Sequence, residues 1–211
     1  MKSAEIERLM SLYSYESGLR AQGAIAVAGL DEVGRGSVAG PLSVGACILE
    51  DEPLIEYLND SKKLTSKRRE IVACELKETG AIYAIAHVEP SEIDRIGMSA
   101  ALKRAMVEAV GGLLKTPDTV LLDGNPLGLG FNEINIVKGD AKIACIAAAS
   151  VLAKTTRDAM MVAYDDQYPE YGFSSNKGYA SASHIAAIKK YGLSPLHRAT
   201  FCKNFTEPTL F

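Results

Sequence analysis

The chain has little of what a secreted, membrane-spanning or disulfide-built protein needs. Its 211 residues include four cysteines, Cys47, Cys74, Cys145 and Cys202, and no CxxC pair. That usage excludes a disulfide scaffold and reads as reduced thiols in a reducing compartment. The longest uncharged apolar-rich run is residues 143–153, eleven in all, well short of the roughly 18 needed to span a bilayer. The N-terminal MKSAEIERLM places charges where a signal peptide needs an apolar stretch. The expectation is a cytoplasmic protein with no membrane contact. No excess of positive charge exists either: Lys plus Arg is 23, Asp plus Glu is 26, and the net charge is −3. Any affinity for nucleic acid must therefore come from local clusters. Internal repeats, low-complexity tracts and obvious linkers are absent.

What is present is an ordinary globular balance, 47% hydrophobic and 23% charged. Helical periodicity covers 3–22, 66–79 (with Ser66 as cap), 99–114, an Ala-rich stretch 141–163, and 183–191. Short apolar runs at 24–30, 42–49, 81–88, 119–122 and 133–137 read as five strands. The first three have room for hairpin-type pairing, and the last two allow crossovers. This predicts an α/β fold with a mixed sheet. We expect an N-terminal helix over 1–22, a core over 23–165, and a C-terminal helical segment and tail over 166–211.

The acids are placed suggestively. The first strand ends in Asp31-Glu32 and runs into Gly34-Arg35-Gly36; the fourth ends in Asp123, and the fifth just before Asp140. C-terminal strand ends are where α/β proteins gather active-site groups. Converging carboxylates need a cation between them, and hard oxygen donors suit Mg²⁺ or Mn²⁺. Two such ions can activate a water and steady the leaving oxygen of a phosphodiester. One geometric objection stands: neighbouring residues on a strand face opposite ways, so Asp31 and Glu32 share a site only if the strand end twists or bulges. Gly34-x-Gly36-x-x-x-Gly40 is not the dinucleotide pattern GxGxxG, and Pro41 leads into a strand where that fold needs a helix.

Positive charge is local. Residues 62–69 hold five basic side chains, and from Tyr171 to Thr206 there is no acid at all. Lys177, Lys189, Lys190, Arg198 and Lys203 lie in that stretch, interleaved with aromatics. This composition suits a phosphate backbone and stacked bases.

The segments AGLDEVGRGSVAGP, DSKKLTSKRRE, LLDGN, KGDAKIACIAAASVLAKTTRD and YGFSSNKGYASASHIAAIKKYGLSPLHR strongly resemble bacterial ribonuclease HII, the type 2 ribonuclease H family. The resemblance runs in order from about residue 25 to residue 201. It implies a ribonuclease H-like fold: a five-stranded mixed sheet flanked by helices, plus a C-terminal helical segment. It also implies a Mg²⁺- or Mn²⁺-dependent endonuclease. Such an enzyme cuts the RNA strand of RNA–DNA hybrids and nicks DNA 5′ to embedded ribonucleotides, leaving 3′-hydroxyl and 5′-phosphate ends. Carried over by motif, the four carboxylates holding two divalent ions fall on Asp31, Glu32, Asp123 and Asp140. The turn that reads the ribose 2′-hydroxyl falls on Gly34, Arg35 and Gly36, the tyrosine at the RNA–DNA junction on Tyr179, and a lysine near the substrate phosphates on Lys62. One departure is Ser37-Val38-Ala39-Gly40-Pro41-Leu42, where the family commonly has Pro-Leu-Ala-Gly-Pro-Val. The rival readings are a nucleic-acid-binding module with a structural metal, and a strand-transfer enzyme, which needs no 2′-hydroxyl reader. The tail Glu207-Pro208-Thr209-Leu210-Phe211 faintly resembles peptides that dock on sliding clamps. A monomer is expected.

Overall fold

Residues 1–50 and 52–206 are described by a computed structural model; the tail 207–211 lies outside the described residues. Five strands form one sheet in the order β3-β2-β1-β4-β5. They are β1 (Val27–Val33), β2 (Leu42–Ile48), β3 (Ile82–Val88), β4 (Thr119–Asp123) and β5 (Glu133–Ile136). The first three pair antiparallel, while β1–β4 and β4–β5 are parallel. The sheet is mixed, as the pattern of hairpins and crossovers predicted.

Strand alternation sorts side chains to two faces. On one face Ala28, Leu30, Val44, Ala46, Ile48, Val120 and Leu122 meet α4 (Met98–Gly111). That helix buries Ala101, Leu102, Ala105, Met106, Ala109 and Val110 as a single stripe. On the other face Val27, Cys47 and Leu121 meet α5 (Ala144–Gln167). The approach is very close: a Cβ on Gly29 would collide with the backbone of Cys145 and Ile146, and one on Gly45 with the Ala149 carbonyl. The small residues Ala147, Ala148, Ala149 and Ala153 of α5 are fully buried, which is why an Ala-rich helix occupies this place.

The N-terminal helix α1 (Ser3–Ala21) buries Leu9, Leu12 and Tyr13 in the same cluster. Leu9 and Leu12 each contribute roughly 1.5–3 kcal/mol by burial. Glu16 of α1 is also buried, and its carboxylate accepts the Cys145 N–H at 2.7 Å, satisfying an orphan donor at the start of α5. Helix α2 (Ser66–Glu78) is capped by Thr65, whose hydroxyl accepts the Arg68 N–H at 3.3 Å. The cap is thus one residue earlier than Ser66.

Three helices escaped the sequence reading. One is α3 (Pro90–Ile96), opened by a proline at its first position; it is too short for a clear period. The others are the single turn α6 (Phe173–Asn176) and, after α7 (Ala182–Tyr191), α8 (Ala199–Thr206). Val38, Ala39, Met161, Tyr171, Phe173, Ile188 and Cys202 form a third apolar cluster. It joins the C-terminal helices to the loop between β1 and β2.

Candidate active site

The ladder between β1 and β4 stops at Leu30↔Leu122, whereas β1 stays paired with β2 through Val33↔Ser43. Beyond Leu30 the strand therefore has a free edge on the β4 side. This answers the objection about neighbouring acids. The β1–β2 register runs through Asp31↔Gly45 and Glu32↔Val44 without a bulge, yet both carboxylates border the same hollow, of about 210 Å³. Seven of the nine residues picked from the sequence border it: Asp31, Glu32, Gly34, Arg35, Gly36, Lys62 and Tyr179. The other two, Asp123 and Asp140, border an adjoining hollow of about 330 Å³, and Lys62 belongs to both. Asp123 accepts the Gly139 N–H at 2.8 Å, which fixes the end of β4 to the turn that carries Asp140.

The charges here are held at a cost. Asp31 is 5% exposed. Burial, and then the neighbouring charges of Glu32 and Asp123, push its pKa up to about 7, against a hydrogen bond from Ser150. Glu32 is raised by burial, with Arg35 opposing through an ion pair of 3.4 Å. Asp140 is raised by burial and by Asp60 and Asp123, and Lys62 opposes at 3.4 Å. For Lys62, burial disfavours the charge, but Asp31 and Asp140 outweigh it and its pKa rises. Lys62 and Arg35 are largely exposed, so their screening of the acids is weak. Mutually repelling, oxygen-only donors with raised pKa values are the donor chemistry of a hard divalent cation. Among the described residues, no three His, Cys, Asp or Glu side chains stand close enough to form one ion's ligand set. Lys62 sits among them instead, 3.4 Å from Asp140 and under the charge of Asp31.

The loop that follows β1 is moulded by two fully buried arginines, neither of which makes an ion pair among the described residues. Arg157 of α5 donates to the carbonyls of Pro41 (2.8 Å), Ala39 (3.0 Å) and Lys177 (2.8 Å) and to the Ser37 hydroxyl (2.8 Å). Arg198 donates to the carbonyls of Gly40 (2.8 Å) and Arg35 (3.1 Å). Burial lowers the pKa of both, that of Arg198 to about 9. Gly34 adopts φ +82°, and a Cβ there would strike the Arg157 guanidinium. Gly36 differs: among the described residues, no atom beyond its two chain neighbours lies within 4 Å of where its Cβ would stand. The turn Lys177-Gly178-Tyr179 is sewn to the same loop, since the Gly178 carbonyl accepts the N–H groups of Val38 (2.8 Å) and Ala39 (3.1 Å). The Tyr179 ring is 40% exposed, 5.8 Å from the Arg157 guanidinium and 5.9 Å from the Lys154 ammonium.

The basic clusters divide on inspection. Arg198 is part of the scaffold, and Arg69 is committed to the carbonyls of Ser61 (3.1 Å) and Leu64 (2.7 Å) and to Asp158 at 3.6 Å. Lys154, which borders the same hollow as Asp31, Glu32 and Tyr179, was not singled out from the sequence. Its signal was its place one turn before Arg157 on the helix whose start carries the acids' scaffold.

A five-stranded mixed sheet with acids at a free strand edge defines the class, a ribonuclease H-like fold with a carboxylate site. Solved structures agree. Ribonuclease H2 of Pyrococcus horikoshii OT3 superposes with a TM-score of 0.73 at 29% identity, covering 87% of this chain and 100% of that one. Ribonuclease HII of Archaeoglobus fulgidus, solved as a complex with PCNA, gives 0.73 at 26% identity over 87% of this chain and 98% of that one. Curated relatives are nearer in sequence. The ribonuclease HII of Endomicrobium trichonymphae is 48% identical over 90% of this chain and 92% of its own length. That of Ruminiclostridium cellulolyticum is 45% identical over 96% and 80%. The family model for ribonuclease HII matches residues 28–204. The chain belongs to the ribonuclease HII family. It is accordingly a phosphodiester hydrolase, an endoribonuclease that cuts the RNA strand of RNA–DNA hybrids.

Proposed function

We propose that this ribonuclease depends on divalent metal, and that it also nicks duplex DNA 5′ to an embedded ribonucleotide, leaving 3′-hydroxyl and 5′-phosphate ends. The observation that carries the reading is the shared hollow. Two acids, a turn with open space at Gly36 and a half-exposed tyrosine all border it. In the interior of the protein nothing demands glycine at position 36; a ribose drawn close to the backbone would. A 2′-hydroxyl within hydrogen-bond reach of that backbone tells RNA from DNA.

Asp31, Glu32, Asp123 and Asp140 would hold two Mg²⁺ or Mn²⁺ ions. When bound, these supply the positive charge that activates a water and steadies the departing 3′-oxygen. The remaining work falls to the chain. Gly34, Arg35 and Gly36 orient the ribose so that the phosphate on its 5′ side lies over the acids. Tyr179 packs on the sugar or base at the RNA–DNA junction. Lys62, placed between the two hollows, meets the substrate phosphate and leaves Asp140 as it does so. Arg157 and Arg198 hold the reading turn in shape. A contact with a sliding clamp through residues 207–211 is part of the proposal, supported by the PCNA complex of the Archaeoglobus fulgidus relative.

The test uses a DNA duplex with one ribonucleotide, given Mg²⁺, Mn²⁺ or a chelator, beside an all-DNA duplex. A nick 5′ to the ribonucleotide with either metal, and none with chelator or all-DNA, is expected. Binding without a nick under both metals would favour the rival reading of a non-catalytic module.

A further inference from the structure

Behind Tyr179 lies a pair of buried histidines that the carboxylate chemistry does not use. His184 of α7 is 0% exposed and His197 is 5% exposed. Their Nε2 atoms stand 3.1 Å apart. The backbone at each end fixes which nitrogen carries each proton. The Ser194 N–H points at His197 Nδ1 at 3.0 Å, and the Ser194 hydroxyl lies 2.9 Å from the same atom. A backbone N–H can only donate, so His197 Nδ1 is bare and its proton is on Nε2. That proton is donated to His184 Nε2, which is therefore bare in turn. The remaining proton of His184 is on Nδ1, and it is donated to the Tyr179 carbonyl at 2.9 Å. The result is a one-way chain, Ser194 to His197 to His184 to Tyr179. Tyr171 and Phe173 enclose it, with ring centroids 4.7 Å from His197 and 5.5 Å from His184 respectively.

The other end of the chain is tied to the reading turn. His197 forms an isolated antiparallel bridge with Ala39. Beside it the Arg198 N–H donates to the Val38 carbonyl and the Gly40 N–H to the Leu196 carbonyl, both at 2.8 Å. His197 thus belongs by its backbone to the Gly34–Gly40 loop and by its side chain to the turn of Tyr179.

We propose that His184 and His197 are positioning residues that set the distance between the Gly36 backbone and the Tyr179 ring, and so the fit of the ribonucleotide between them. The proposal rests on the reading of Tyr179 as the residue that packs at the junction. Isosteres separate the two links. In His184→Asn the amide nitrogen takes the place of Nδ1, keeping the bond to Tyr179 and losing the one to His197. His197→Gln keeps a donor at the place of Nε2. His184→Phe loses both bonds.

The experiment measures kcat and KM for nicking at a single ribonucleotide in these variants, alone and combined with Tyr179→Ala. Tyr179→Ala is expected to lower activity about tenfold or more. His184→Phe should lower kcat by about three- to tenfold, the scale of one hydrogen bond, and this loss should vanish once Tyr179 is already Ala. His184→Asn and His197→Gln should each recover part of it. Equal losses from His184→Phe with and without Tyr179 would overturn the proposal and leave the reading of Tyr179 intact. A Tyr179→Ala variant with full activity would instead remove that reading, and the proposal with it. Should His184→Phe fail to fold, ¹⁵N spectra of the unsubstituted protein decide. They should show the Nδ1–H tautomer at His184 and the Nε2–H tautomer at His197; the reverse assignment would overturn the proposal.

Discussion

Asp31 is a carboxylate kept out of water beside other acids, and that conflict has a measurable consequence. With its pKa pushed up to about 7 by burial and by Glu32 and Asp123, its ionised form strains the fold unless a cation is near. Asp31→Asn removes the charge and keeps the shape. We expect this variant to fold, to bind a hybrid, and to lose cleavage by more than the 10–100-fold typical of a group that merely supports a ligand. With chelator present it should melt higher than the unsubstituted protein, by on the order of 3 °C. Added Mn²⁺ should raise the melting point of the unsubstituted protein and leave the variant almost unmoved. Turnover near the unsubstituted level would remove Asp31 from the site. Asp31 was legible in the sequence because a strand-end acid followed by glycines is a local signal. His184 and His197 stood within a recognised stretch but carried no such signal, since their pairing is made by the fold of α7 against the chain that follows it.

At the scale of elements, two of the three glycines in the loop between β1 and β2 have different reasons to be glycine. Gly34 is required from within, by its positive φ and by the Arg157 side chain against it. Gly36 has neither constraint among the described residues: its φ is not positive and the space where its Cβ would stand is open. Gly34→Ala should therefore destabilise by roughly 3 kcal/mol, a fall in melting temperature on the order of 10 °C. Gly36→Ala should melt within about 2 °C of the unsubstituted protein and still lose most of its nicking of embedded ribonucleotides. Thermal melts beside a nicking assay check both. If Gly36→Ala cleaves normally, the open space there serves no ribose. The strands and the longer helices were readable because alternation and period 3.6 are written along the chain. Helices α3 and α8, seven and eight residues long, offer too few turns for a period, and packing rather than propensity makes them helical.

For the whole molecule, α1 is joined to the core through Leu9, Leu12, Tyr13 and the buried carboxylate of Glu16. Burial, partly offset by the Cys145 N–H, raises Glu16 to about 7. The folded state then keeps a proton that the unfolded state releases near the ordinary carboxylate value. Its stabilising contribution is present below that value and is lost as pH rises through about 7. Glu16→Gln keeps an acceptor for Cys145 without the charge. It should melt higher than the unsubstituted protein at pH 8, by about 1–3 kcal/mol in stability, with the gap closing toward pH 5. A gap that grows as pH falls would show that the charge itself holds α1 in place. Long-range joints of this kind left no mark in the sequence: Arg198 reaches back across 158 and 163 residues to Gly40 and Arg35. Protein synthesis runs from the N-terminus, so Asp31, Glu32, Asp123 and Asp140 all exist before Arg198 has been added. A chain made as far as Asp140 owns all four acids but lacks the Arg198 clasp on the turn beside them. On the proposed role of that turn, the enzyme would gain its ability to read a ribose only when its translation is nearly done, and a prematurely terminated copy would lack it.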